Sequence, residues 1–346
     1  MKKLYAIEFI RIWLTIAVII LHVTFFGGTK EKIQNFFGVK ETAFYFAVEL
    51  FFIIGGFFLY KKLKQVRQGE VKPTDLIKKT YFRLFPALLF SFILLIICVP
   101  TKRFEFLSAF PRLATLTTGL GLGPKHAGEV ISWGDWYVGA YFWTTCLFIG
   151  LFSKSKTFLS VGILMYLSIL LKMHNTLLPK QIFQGITRSI YSMGLGVITA
   201  YLSENITLSK TKTSKTIFSV LELLCIISTY RYFAKTSHTK FTFWEIEIIF
   251  AFLVLLISHS AGYISEFFNK IEKVQYISRY SYPTFICHAI PMILMLKYKN
   301  TGLSPIAYFF ALLTPAIILG MIEYHFFEPY FKKIIKYFIR EKEKEN

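Results

Sequence analysis

Glu8-Phe9-Ile10-Arg11-Ile12-Trp13-Leu14-Thr15-Ile16-Ala17-Val18-Ile19-Ile20-Leu21-His22 decides how the rest of the chain is read. The run is long and apolar enough to enter a membrane, yet it carries an arginine and a histidine eleven residues apart. Eleven residues at about 100° each come to roughly 1,100°, three turns plus about 20°, so Arg11 and His22 share one helix face. A rise of about 1.5 Å per residue separates them by roughly 16 Å, about half a hydrocarbon core. Ionisable groups are costly at that depth and mark a polar path or a reaction site.

Composition sets the class. The chain has 346 residues, 54% of them hydrophobic, with 38 Phe and 20 Tyr and a mean hydropathy of +0.51. A soluble domain cannot hide that much apolar surface, so the expected fold is all-α, a polytopic membrane protein. The net charge of +20 does not point to nucleic acid, because the basic residues sit mostly between apolar segments. Topology and anionic headgroups of the lipid bilayer account for them. Cys98, Cys146, Cys225 and Cys287 fall singly in apolar runs without metal spacing, and no metal is expected. Met1-Lys2-Lys3 imitates a signal peptide but no small-residue cleavage site follows, so the first span is expected to stay.

Apolar windows predict about ten spans, near 5–27, 41–60, 82–100, 133–153, 157–173, 184–203, 215–231, 243–263, 280–297 and 303–327. They make up an integral-membrane domain over residues 1–330, followed by a charged tail over 331–346. The segment from Lys61 to Arg83 is the most basic, and placing it in the cytoplasm puts the larger share of Lys and Arg inside. Both termini are then cytoplasmic. The longest outside connection, about 101–132, reads as an irregular loop or short re-entrant piece.

Four further stretches carry chemistry. Glu49 in Val48-Glu49-Leu50-Phe51-Phe52 needs a cationic partner, with Arg11 or His22 on the neighbouring span the candidates. Gly55-Gly56 admits a helix or a ligand close to the backbone. Lys78-Lys79-Thr80-Tyr81-Phe82-Arg83-Leu84-Phe85-Pro86 sets cations at a cytoplasmic mouth, where they suit phosphates. Ser281-Tyr282-Pro283-Thr284-Phe285-Ile286-Cys287-His288 puts a second histidine in an apolar run.

Taken in order, Arg11 and His22 with ten residues between, Glu49 through Phe57, Arg83-Leu84-Phe85-Pro86 and Ser281-Tyr282 through His288 resemble the acyltransferase-3 family of bacterial membrane O-acyltransferases. Glu328-Pro329 resembles its closing Glu-x-Pro. The resemblance implies about ten spans in the bacterial cell (inner) membrane, an acyl-CoA donor (acetyl-CoA first) on the cytoplasmic side, and a glycan acceptor from the other. That acceptor is a hydroxyl of a surface polysaccharide, lipopolysaccharide or lipid-linked sugar. It also implies His22 as general base, with Glu49 and Arg11 completing the catalytic set and Arg83, Lys79 and Arg11 contacting the donor. Two positions depart from the pattern. Thr80 stands where a first arginine is usual, leaving Lys79 to replace it; Tyr141 stands where an acid is usual after Trp136, with Asp135 and Glu129 upstream. Trp136, Tyr137, Tyr141 and His288 are the expected substrate contacts. The part around Trp136 is similar to members that modify capsule and exopolysaccharide sugars. The competing reading is a transporter or flippase of a glycan or lipid-linked intermediate, its intramembrane Arg, His and Glu lining the path.

Overall fold

The apolar opening folds as helix α1 (Tyr5–Val23), burying Ile7, Leu14, Val18, Ile19 and Leu21. A computed structural model describes residues 3–23, 35, 46–120, 134–153, 162, 163, 166, 170, 184–235, 243–296 and 303–345. Among these the chain is all-helical, without strands. Three described helices are long and apolar enough to cross a membrane: Tyr5–Val23, Pro73–Cys98 and the continuous Pro305–Tyr337.

After α1 come α2 (Phe46–Arg67), α3 (Pro73–Cys98), α4 (Arg103–Ala114), α5 (Asp135–Phe152), α6 (Gln184–Asn205), α7 (Lys212–Lys235) and α8 (Phe243–His259). Two short turns, α9 (Tyr263–Phe268) and α10 (Val274–Ser278), lead to α11 (Ser281–Cys287) and α12 (Ala289–Leu296). The chain ends as α13 (Pro305–Ile322), a π-turn over Glu323–Phe327, and α14 (Glu328–Glu345). Only four helical residues of the expected span 157–173 are described.

The connection near 101–132, expected as an irregular loop or a short re-entrant piece, contains the short helix α4, which buries Phe106, Ala109 and Leu113 at helical spacing.

Backbones touch where α2 crosses α6. A Cβ on Gly56 would lie 2.0 Å from the Met193 carbonyl oxygen, and one on Gly196 would lie 2.0 Å from that of Ile53. Only glycine permits that approach.

Helix α1 and the α11–α12 rod keep a constant register. The Thr15 hydroxyl lies 3.5 Å from the Ser281 carbonyl, and His22 lies 2.8 Å from His288. Both pairs are 266 residues apart in sequence, and both partners advance by seven residues, two helical turns. The helices therefore run parallel and meet along one seam.

Candidate active site

A cavity of about 420 Å³ opens between α1, α2, α3, α5, α11 and the π-turn. Arg11 of α1, Arg83 of α3 and Arg279, just before α11, line it together with Tyr137 and Tyr141 of α5. Arg11 and Arg83 both lie in the N-terminal halves of their helices, so the cavity belongs to the end of the bundle where α1 begins. Arg279 is held there by aromatic faces, its guanidinium 4.9 Å from the Tyr276 ring centre, 5.4 Å from Tyr280 and 5.8 Å from Tyr324. Arg11 is tethered to Glu8, one turn back, at 3.0 Å.

Gly55 shapes the wall. A Cβ there would come 2.5 Å from the Tyr141 ring, so the missing side chain is the space that ring occupies. Seated in it, the Tyr141 hydroxyl accepts from the Arg83 guanidinium at 3.2 Å. Tyr141 thus occupies a place where an acid is usual in the resembling family, and supplies an oxygen to the arginine. Tyr282 donates to the Leu84 carbonyl at 2.6 Å, joining α11 to α3 one residue past Arg83.

An aromatic layer closes the inner end. Phe285 lines the cavity, 5.4 Å from Tyr137 and 6.1 Å from Phe51 between ring centres. On its other side the Phe285 ring is 5.7 Å from that of His288.

Beyond Phe285 the two histidines meet. His288 is fully buried and His22 nearly so, with ring centres 4.6 Å apart and 29° between planes. The break between α11 and α12 falls at His288, three residues before Pro291, which has no N–H for the Cys287 carbonyl. At this break His288 Nδ1 hydrogen-bonds the Phe285 carbonyl and Nε2 meets His22 Nδ1 at 2.8 Å. A carbonyl only accepts, so Nδ1 of His288 carries hydrogen. When His288 is neutral, its Nε2 accepts and His22 Nδ1–H donates. The network therefore assigns neutral His22 the tautomer whose acceptor nitrogen is Nε2.

The sequence suggested Arg11 or His22 as the partner of Glu49, but among the described residues Glu49 pairs with Arg188 instead. Its Oε1 accepts from Arg188 Nε of α6 at 2.6 Å, while Oε2, fully buried, has no hydrogen-bond partner among the described residues. The Arg188 guanidinium also lies 4.8 Å from the Trp136 ring centre. Trp136 and Glu49 thus belong to one cluster, apart from the arginines of the cavity.

The named residues fall into three groups: Arg11, Arg83, Tyr137 and Tyr141 in the cavity; His22 with His288; Glu49 with Trp136. Lys79 joins none of them. It is exposed and, like Lys62 of α2, absent from the cavity wall, while Lys62 stands within electrostatic reach of Arg83, Tyr141 and Lys79. Glu129 lies outside the described residues. Sequence reading passed over Arg188, Arg279 and Glu323. Arg188 carried a usable signal, since a buried Glu49 demands a cation from another span.

No curated protein and no solved structure matches the chain. Residues 4–325 match the family model for an acyltransferase domain of the acyltransferase-3 type. The chain belongs to the acyltransferase-3 family, and its function is acyl transfer to oxygen.

Proposed function

We propose that the chain carries an acyl group, acetyl in the simplest case, from acyl-CoA in the cytoplasm to a hydroxyl of a glycan on the far side of a bacterial cell membrane. About ten spans and cytoplasmic termini fit the distribution of basic residues. In that orientation the cavity of Arg11, Arg83 and Arg279 faces the cytoplasm and is the donor site; guanidinium groups suit the donor's phosphates. Lys79, with Lys62 in its electrostatic reach, adds positive charge beside that site. His22, about 16 Å deeper along α1, lies toward the acceptor side.

The observation that carries this reading is the hydrogen-bonded pair His22–His288 behind the inner wall of the arginine cavity. The acceptor hydroxyl attacks the thioester carbonyl while His22 Nε2 takes its proton. A carbon–oxygen bond forms, the tetrahedral intermediate collapses, and the carbon–sulfur bond breaks. The proton on His22 then passes to the departing thiolate, returning the imidazole to its starting form. His288 keeps Nδ1–H of His22 engaged throughout and so presents the basic nitrogen. Trp136, beside Glu49 and Arg188, offers an aromatic face on the acceptor side.

Purified protein given labelled acetyl-CoA and a glycan acceptor tests the proposal. His22→Ala is expected to lower transfer by about 10²- to 10⁴-fold, the usual weight of a general base. Transfer at the wild-type rate in that variant contradicts it.

A further inference from the structure

Three carboxylates line the arginine cavity, and two of them are engaged. Glu8 is tied to Arg11, and Glu328 to Lys332. Glu323 is 1% exposed, and its Oε2 has no hydrogen-bond partner among the described residues. A buried carboxylate oxygen left unmatched is costly, so a group that faces a cavity in this state awaits a donor from a ligand.

The backbone aims it there. Glu323 begins the π-turn, where the Glu328 N–H reaches back five residues to the Glu323 carbonyl. In a regular α-helix, side chains five residues apart diverge by about 140°. The wider turn reduces that divergence and lets Glu323, Tyr324 and Glu328 all face the cavity. Gly320, one turn earlier, fixes the position. A Cβ on it would lie 2.7 Å from the Thr284 backbone nitrogen, so α13 rests directly on α11.

We infer that Glu323 is a donor-binding residue, whose carboxylate accepts a hydrogen bond from an amide N–H on the uncharged arm of the thioester donor. The inference rests on the acyl-CoA reading above. The donor's phosphates go to Arg279 and Arg83, whose guanidinium groups match them. An amide N–H satisfies the unmatched carboxyl group of Glu323 without adding charge to a buried site. With the arginines holding the phosphate end and Glu323 the arm, the thioester is held against the aromatic layer in front of His22.

Steady-state transfer by full-length protein in lipid nanodiscs tests this with three donors. Acetyl-CoA has both phosphates and amides, acetyl-pantetheine keeps the amides alone, and S-acetyl-mercaptoethanol has neither. Glu323→Ala and Glu323→Leu are expected to raise KM for the first two donors by about 10- to 100-fold, the range of a hydrogen bond to a charged group. kcat should stay within about threefold, and use of S-acetyl-mercaptoethanol should not change. Glu323→Gln, which keeps an accepting oxygen, should return KM to within about threefold of wild type. Equal losses with all three donors, or none with any, overturn the inference while leaving the acyl-transfer reading in place. A wild-type protein that uses no thioester overturns both.

Discussion

His22 and His288 show how one hydrogen bond sets chemistry at the scale of a residue. The Phe285 carbonyl requires a proton on His288 Nδ1, and that requirement passes through Nε2 to His22. In the proposed mechanism His288 is a positioning residue, and its test separates geometry from stability. His288→Leu is expected to lower kcat by about 10- to 100-fold with donor KM unchanged, because His22 loses the acceptor that fixes its tautomer. His288→Gln, whose amide oxygen can take the place of Nε2, should recover most of the loss. A shift in donor KM with kcat intact argues against the role. The two histidines were visible in the sequence, since each interrupts an apolar run at a cost. Their pairing was not, because 266 residues separate them and nothing local records the shared seam. Glu49 is the converse case: its need for a cation was plain, but adjacency in sequence favoured α1 and the partner proved to be Arg188 of α6.

At the scale of elements, adjacent glycines do different work. Gly56 and Gly196 let α2 and α6 touch backbone to backbone, whereas Gly55 clears room for a side chain, Tyr141. Gly56→Ala and Gly196→Ala must push two helices apart, so each is expected to lower the thermal unfolding midpoint by several degrees. Gly55→Ala displaces only the Tyr141 ring and its bond to Arg83. It should leave the midpoint nearly unchanged and raise the KM for acetyl-CoA. Equal unfolding losses at all three positions contradict this division. The sequence announced Gly55-Gly56 as a close approach without saying to what. Helix α4 was legible in Phe106, Ala109 and Leu113 but masked by Pro111 and the surrounding polar residues, which read as a connection. The π-turn had no comparable signal, because its one extra residue appears only in the hydrogen-bond ladder.

Across the whole molecule, the cavity and the histidine pair occupy successive levels along α1. A junction of two basic residues on one carboxylate gives a pH signature. Glu266, in the short turn α9, accepts from Lys215 at 2.8 Å and Lys270 at 2.9 Å, and the Lys215 contact foremost holds its pKa down to about 2. A lowered carboxylate pKa stabilises the fold above the ordinary value of 4.5 and ceases to do so as pH falls from there toward about 2. Unfolding midpoints followed from pH 6 to pH 3 should drop less steeply in Glu266→Gln than in wild type. Parallel curves contradict the assignment.

The two levels carry the central claim, that donor and acceptor reach His22 from opposite faces. Proteoliposomes sorted by protease access to residues 331–346 test it directly, with labelled acetyl-CoA on one face and a glycan acceptor on the other. The account predicts transfer when acetyl-CoA is on the face that exposes the tail and the acceptor is on the opposite face. It predicts a loss of at least about 100-fold when the two are exchanged, or when His22 is replaced by alanine. Equal transfer in both arrangements, or wild-type rates in His22→Ala, would contradict it.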